Sequence, residues 1–246
     1  MSFLEHLEEL RWAIVWMVVA TVAASTLGWY FADRIVVFLG DDLAEILTRV
    51  YGARGDYNLH VFEVSEAFTT KFKVALLIGL LIALPFNVYK VWRFVSPGLF
   101  SREKRAMGPL IALSIFLFYA GVAFAYFVMV KLTVAFLFKM KPPSVVATVR
   151  LGSYISFVTK FCLTFGLVFQ IPLVLALLAR LGVVRAEAIR RSWRYAVVGI
   201  LIAAAVLTPP DVVSQTLMAV PMLLLYWLGY ALARALERKA EDRVSP

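Results

Sequence analysis

Apolar positions fall along this chain in long blocks, not at the alternating or 3.6-residue spacing of half-buried elements in water. Six blocks stand out: Trp12–Ala32, Thr70–Trp92, Pro109–Val130, Tyr154–Leu178, Tyr195–Leu207 and Val212–Ala233. A helix rises about 1.5 Å per residue and a hydrocarbon core is about 30 Å thick, so a span needs roughly 20 residues. The first four blocks meet that length and the sixth just suffices. The fifth does not. From Tyr195 to Thr208 the chain reads YAVVGILIAAAVLT, about 21 Å of helix, and Pro209-Pro210 then stop it. Pro209-Pro210-Asp211 predicts a tight turn and a helical hairpin, with Asp211 placed to cap the last helix.

The pattern therefore predicts an all-α membrane protein with six transmembrane helices, the fifth and sixth short. It forms a single domain over 1–246, with 234–246 as a tail. Loops of about 35 residues after the first span and about 20 after the third are expected on one side. Composition agrees: the chain is 62% hydrophobic, 17% charged and has a mean hydropathy of +0.84, well outside the soluble range.

Charge gives the orientation. The net charge is +9. Of the loop Lys and Arg, 14 fall with the N-terminus, the loops after spans two and four and the C-terminal tail; 7 fall on the other side. Both termini are thus expected in the cytoplasm. No basic run carries the interleaved aromatics that stack on bases, so no nucleic-acid partner is expected. Cys162 is the single cysteine and excludes a disulfide within the chain. The acidic start lacks a basic n-region and its apolar run is too long for a cleaved signal peptide, so the first span is expected to be permanent.

Catalytic chemistry finds no footing. The two histidines, His6 and His60, fall on opposite sides of the expected membrane. No metalloprotease motif, cysteine cluster or P-loop occurs. No catalytic residue, metal site or cofactor is expected, and the chain reads as a non-enzyme. A small-molecule or ion secondary transporter is the competing reading, with Lys160, Gln170, Ser214 and Gln215 as intramembrane polar groups. Against it, no internal repeat is visible.

The opening MSFLEHLEELR raises a sharper question. At helical spacing Phe3, Leu7, Leu10 and Ile14 share one face, while Glu5 and Glu9 lie on the other, flanked by Glu8. This predicts an amphipathic helix on the membrane surface, feeding into the first span. Dipole complementation accounts for Glu5, and Arg11 can pair with Glu8. Glu9 lies past the first turn, where neither explanation serves. Glu103 is the only acid in the next cytoplasmic loop, VWRFVSPGLFSREKRAMGPL. Two such acids from separate segments could clamp a dication brought by a partner.

The blocks HLEELR, KVWRFVSPGLFSREKR, FYAGVAFAYF, SYISFV, FGLVFQIPL and LTPPDVVSQTLMAVPM, in this order and spacing, resemble the TatC family. That family is the polytopic core of the twin-arginine protein translocase, and the resemblance runs from about His6 to Gly229. It implies a receptor and scaffold that binds arginine-pair signal peptides of folded cargo and recruits single-span partners of the TatA and TatB kind. It further implies a homo-oligomer within the complex, drive by the proton motive force, and a place in a bacterial or archaeal cytoplasmic membrane. The family's two signal-binding glutamates fall on Glu9 and Glu103, and Arg11 and Phe94 match further positions of that site. The resemblance also carries over Pro85, which it implies breaks span two, Tyr126 and Asp211. It makes the short hairpin a partner-docking face, with Gln170, Val206, Leu207 and Met218 as expected contacts. Gln170 stands where many members carry a glutamate. An amide still offers a cross-helix hydrogen bond, but no charge.

Overall fold

The computed structural model describes residues 3–51, 57–60, 64–95, 107–140, 147–207 and 212–241. Helices occupy every expected block, and most outrun it. They are α1 (Phe3–Tyr51), α2 (Val64–Val95), α3 (Met107–Phe124), α4 (Lys131–Lys139), α5 (Leu151–Val168), α6 (Ile171–Arg180), α7 (Ala186–Arg191), α8 (Trp193–Leu207) and α9 (Val212–Glu241). A π-helical stretch, Ala125–Val130, joins α3 to α4. By length and composition, five apolar stretches suffice to cross a membrane: Leu4–Val50, Ser65–Val95, Gly108–Lys139, Leu151–Arg180 and Val212–Glu237. Helix α8 is shorter, at 15 residues.

The chain divides into two compact units, Met1–Phe116 with Phe138–Lys160, and Leu117–Leu137 with Phe161–Pro246. In the first unit α1 lies along α2. Its inward residues are small: Ala13, Ala20, Ala24, Gly28 and Ala32 recur at steps of seven or four residues and are buried or half-buried. Small side chains let backbones approach where lipid supplies no hydrophobic drive. The helices approach closely at two glycines: an added Cβ at Gly28 would overlap the Ala75 carbonyl oxygen, and one at Gly79 would fall 2.6 Å from the Ser25 Cα. Asn87 donates to Thr21 Oγ1 (3.0 Å), and the Trp92 indole donates to Ser114 Oγ (2.8 Å).

Helix α1 corrects two expectations. The stretch after Ala32 is not a 35-residue loop, because α1 continues to Tyr51. Leu39, Leu43, Ile46 and Leu47 form a buried stripe there, and Arg49 pairs with Glu45 on the outer side. Nor is the N-terminus a separate surface helix. It is the first turns of α1, with its faces reversed: Leu4, Leu7 and Ile14 point outward, while Glu9 and Ala13 turn toward the protein. A bilayer accepts aliphatic side chains on the outside, so the buried face is marked by small residues instead.

Two four-residue strands, β1 (Tyr57–His60) and β2 (Ala147–Arg150), pair in parallel with Tyr57 opposite Ala147 and His60 opposite Arg150. They tie the two expected outer loops together. Beside them the Gly152 N–H donates to Glu66 Oε1 at 3.2 Å, so a carboxylate from α2 caps α5. Helix α2 passes through Pro85 without ending, which overturns the expected break there.

In the second unit the expected fourth span is two helices. The Gln170 N–H bonds to Leu167 O (3.0 Å) in a tight turn, and Gln170 then serves as the N-cap of α6. Pro172 stands in the first turn of α6, where its missing N–H costs nothing. Helix α9 is 30 residues long, so the last helix is not short. Helix α7 is held against α9 twice: Tyr226 Oη donates to Ile189 O at 2.5 Å, and the Ala186 N–H donates to Glu237 Oε1 at 2.6 Å. Ala179, Ala186, Ile189 and Ala233 pack beneath these bonds.

Candidate functional site

The reversed faces of α1 turn Glu9 inward, toward α2. The first turns of α1 and the last turns of α2 enclose a groove of about 340 Å³. Glu8, Glu9, Trp12, Ala13 and Trp16 form one wall, and Lys90, Arg93 and Phe94 the other. His6 stacks on Phe94, with ring centroids 4.3 Å apart and an interplanar angle of 11°. Glu9 Oε2 is buried and has no hydrogen-bond partner among the described residues. His6 Nδ1 stands 3.9 Å from it, outside hydrogen-bond range. A carboxylate oxygen out of water without a donor is costly, and a ligand that brings a donor relieves that cost.

The other expected residues separate. Arg11 faces outward, bonded to Glu8 at 3.1 Å and resting over the Trp12 ring; it does not line the groove. Glu103 and Asp211 lie outside the described residues. Lys90 lines the groove, but its ammonium lies over the Trp16 and Phe86 rings at 5.8 and 5.2 Å, a placement that cation–π attraction favours. His6, Trp12, Trp16 and Lys90 were not among the expected site residues. Trp12 and Trp16 carried a signal, as two tryptophans one turn apart at the start of a span mark the headgroup level.

In the second unit Val206 is 78% exposed, and Leu207 and Gln170 are half-buried. Met218 is 1% exposed, which corrects its placement on a docking face: it belongs to the unit's own core. Tyr126 lies in the π-helical stretch, with the Lys131 ammonium 5.8 Å from its ring. Such stretches recur at functional positions.

Among the described residues no group of three or more His, Cys, Asp and Glu could hold a metal ion. Long apolar helices fit a helical membrane protein. Residues 5–221 match the family of Sec-independent protein translocase proteins, TatC, and this chain belongs to it. It is 36% identical to the TatC protein of Desulforapulum autotrophicum over 98% of this chain and 87% of that one. Against TatC of Escherichia coli K12 it is 33% identical over 97% and 90%, and against that of Aquifex aeolicus 34% over 98% of each. A crystal structure of the twin-arginine translocase receptor TatC superposes with a TM-score of 0.83 at 34% identity, covering 94% of this chain and 99% of that one. The chain is thus a subunit of the Tat protein-transport pathway, in a family of translocase proteins and not of enzymes. The solute-transporter reading finds no support.

Proposed function

We propose that this chain is the receptor and scaffold subunit of the translocase. It binds arginine-pair signal peptides at the cytoplasmic membrane surface and recruits TatA- and TatB-type single-span partners. Folded cargo then crosses a bacterial or archaeal cytoplasmic membrane on the proton motive force. The chain crosses that membrane six times, with both termini in the cytoplasm, and works as a homo-oligomer within the complex.

The observation that carries the reading is the buried Glu9 oxygen without a donor, at the mouth of a groove beside Phe94. A guanidinium supplies a planar fork of donors matched to a carboxylate, which an ammonium does not. Glu9 takes one arginine and Glu103 the other, with Phe94 and the tryptophans packing against the aliphatic part of the peptide. Glu9 remains one-third exposed, so its pair belongs between the buried and surface regimes. Truncating a desolvated partner costs about 2–5 kcal/mol and an exposed one about 0–1.

The test is peptide binding to the protein in nanodiscs. Wild type should prefer an RR signal peptide over its KK counterpart. Glu9→Gln and Glu103→Gln should each weaken RR binding by roughly tenfold, at about 1.4 kcal/mol per decade. Unchanged RR affinity in both variants would overturn the assignment.

A further inference from the structure

A second concave site lies in the other unit, where α7 meets α8. Arg190, Arg191 and Arg194 surround a recess of about 590 Å³ walled by Trp193, Tyr195 and Trp227, with Glu187 on its rim. Loop arginines are ordinarily read as topology signals, and that rule asks only for charge on one side. It does not ask for three guanidinium groups around one aromatic-walled recess, nor for a rigid mount. This one is rigid. Glu237 of α9 holds the first residue of α7 and Tyr226 holds its fourth, and its inward Ala186 and Ile189 are buried.

We propose that this recess binds the headgroup of an anionic phospholipid from the adjoining leaflet. Three arginines against one glutamate favour an anion, and guanidinium forks fit phosphate oxygens in pairs. Basic pockets beside transmembrane helices are suited to acidic headgroups. The aromatics fix the depth, because Trp and Tyr settle at the headgroup level. The tail has a track as well. Tyr195, Val198 and Ile202 recur at three- and four-residue steps along the first half of α8, and all are exposed. An acyl chain leaving the recess runs along that stripe. This separates a lipid from a free phosphate or an acidic peptide segment, neither of which needs an apolar stripe leading away from the anion site. The lipid would also help a helix of 15 residues sit in a bilayer thicker than itself.

Native mass spectrometry of the full-length protein, released from nanodiscs of mixed phosphatidylethanolamine and phosphatidylglycerol, tests the inference. Wild type should retain phosphatidylglycerol in preference to phosphatidylethanolamine. The triple variant Arg190→Gln, Arg191→Gln, Arg194→Gln should bind phosphatidylglycerol roughly a hundredfold more weakly, the combined effect of three surface cations. Glu187→Gln, which removes the one rim acid, 3.8 Å from Arg191, should raise retention several-fold. Misfolding cannot produce that gain. Lys131→Gln with Lys139→Gln, in helix α4 of the other face of the expected topology, should leave retention unchanged. Equal retention in wild type and the triple variant overturns the proposal. So does displacement of the lipid by millimolar inorganic phosphate alone, or retention of an acidic peptide in place of lipid.

Discussion

At the scale of single residues, glycines decide how closely α1 and α2 can lie, Gly28 on one helix and Gly79 on the other. An added Cβ at Gly79 would press on the Ser25 backbone, which cannot swing away as a flexible side chain could. Overpacking of this kind costs about 1–3 kcal/mol. Gly79→Val should therefore lower the thermal unfolding midpoint in detergent by several degrees. Gly199→Ala, in α8, meets nothing within 4 Å and should hold the midpoint or raise it slightly, since alanine favours helix. Equal midpoints for the two variants would show that the crossing is loose. Glycine and alanine were visible in the sequence as composition, but the crossing they permit was not, because small residues carry no signal until the partner helix is placed. Glu9 was the opposite case. Its position past the first helical turn already left it without a local explanation, and the structure answers with a buried oxygen that lacks a donor. Glu103, read with it, lies outside the described residues, so that half of the site rests on the sequence alone.

At the scale of elements, the apolar blocks located the helices well and their ends poorly. A block stops where water begins, yet a helix stops only where backbone or side chains stop it. From Ala32 to Tyr51 no proline intervenes, and the stripe Leu39–Leu43–Ile46–Leu47 gave a helical period that the search for apolar blocks passed over. At Gln170 the reverse happened: a continuous apolar run concealed a break that Pro172 signalled. These ends bear on partner docking. A helix of 15 residues reaches about 22 Å, so a partner helix beside α8 would relieve its mismatch with the bilayer. Gln215 Nε2 donates to Leu201 O at 3.0 Å, which fixes α9 against α8 and leaves Val206 facing out. Cysteines at Val206 and Leu207, paired with a cysteine series along a TatA-type span, should form disulfides that peak at one register. Met218→Cys, buried, should remain silent. Gln170→Ala should weaken this crosslinking only a few-fold, since a cross-helix hydrogen bond in a membrane is worth about 0.6–2 kcal/mol. Crosslinks from Met218 but not from Val206 would place docking elsewhere.

At the scale of the whole molecule, orientation rests on the distribution of cations, and one feature of the fold sharpens its test. Strands β1 and β2 pair in parallel, so His60 and Arg150 must lie on the same side of the membrane. The cation count predicts that side to be outside the cytoplasm, with Glu9, Glu103 and the α7 arginines on the cytoplasmic side. In a background of Cys162→Ser, a cysteine at position 60 should react with a membrane-impermeant maleimide in intact cells, and so should one at position 150. A cysteine at position 103 should react only after the membrane is opened. The paired design separates two failures. If 60 and 150 are both protected while 103 reacts in intact cells, the orientation is inverted and the Glu9 groove faces away from any precursor, so the receptor reading falls with it. If 60 and 150 differ from each other, the strand pairing itself is wrong and the number of crossings between them is odd. Agreement at 60 and 150 with protection at 103 puts the groove, the arginine recess and both termini on the side where cargo is made, which an arginine-pair receptor requires.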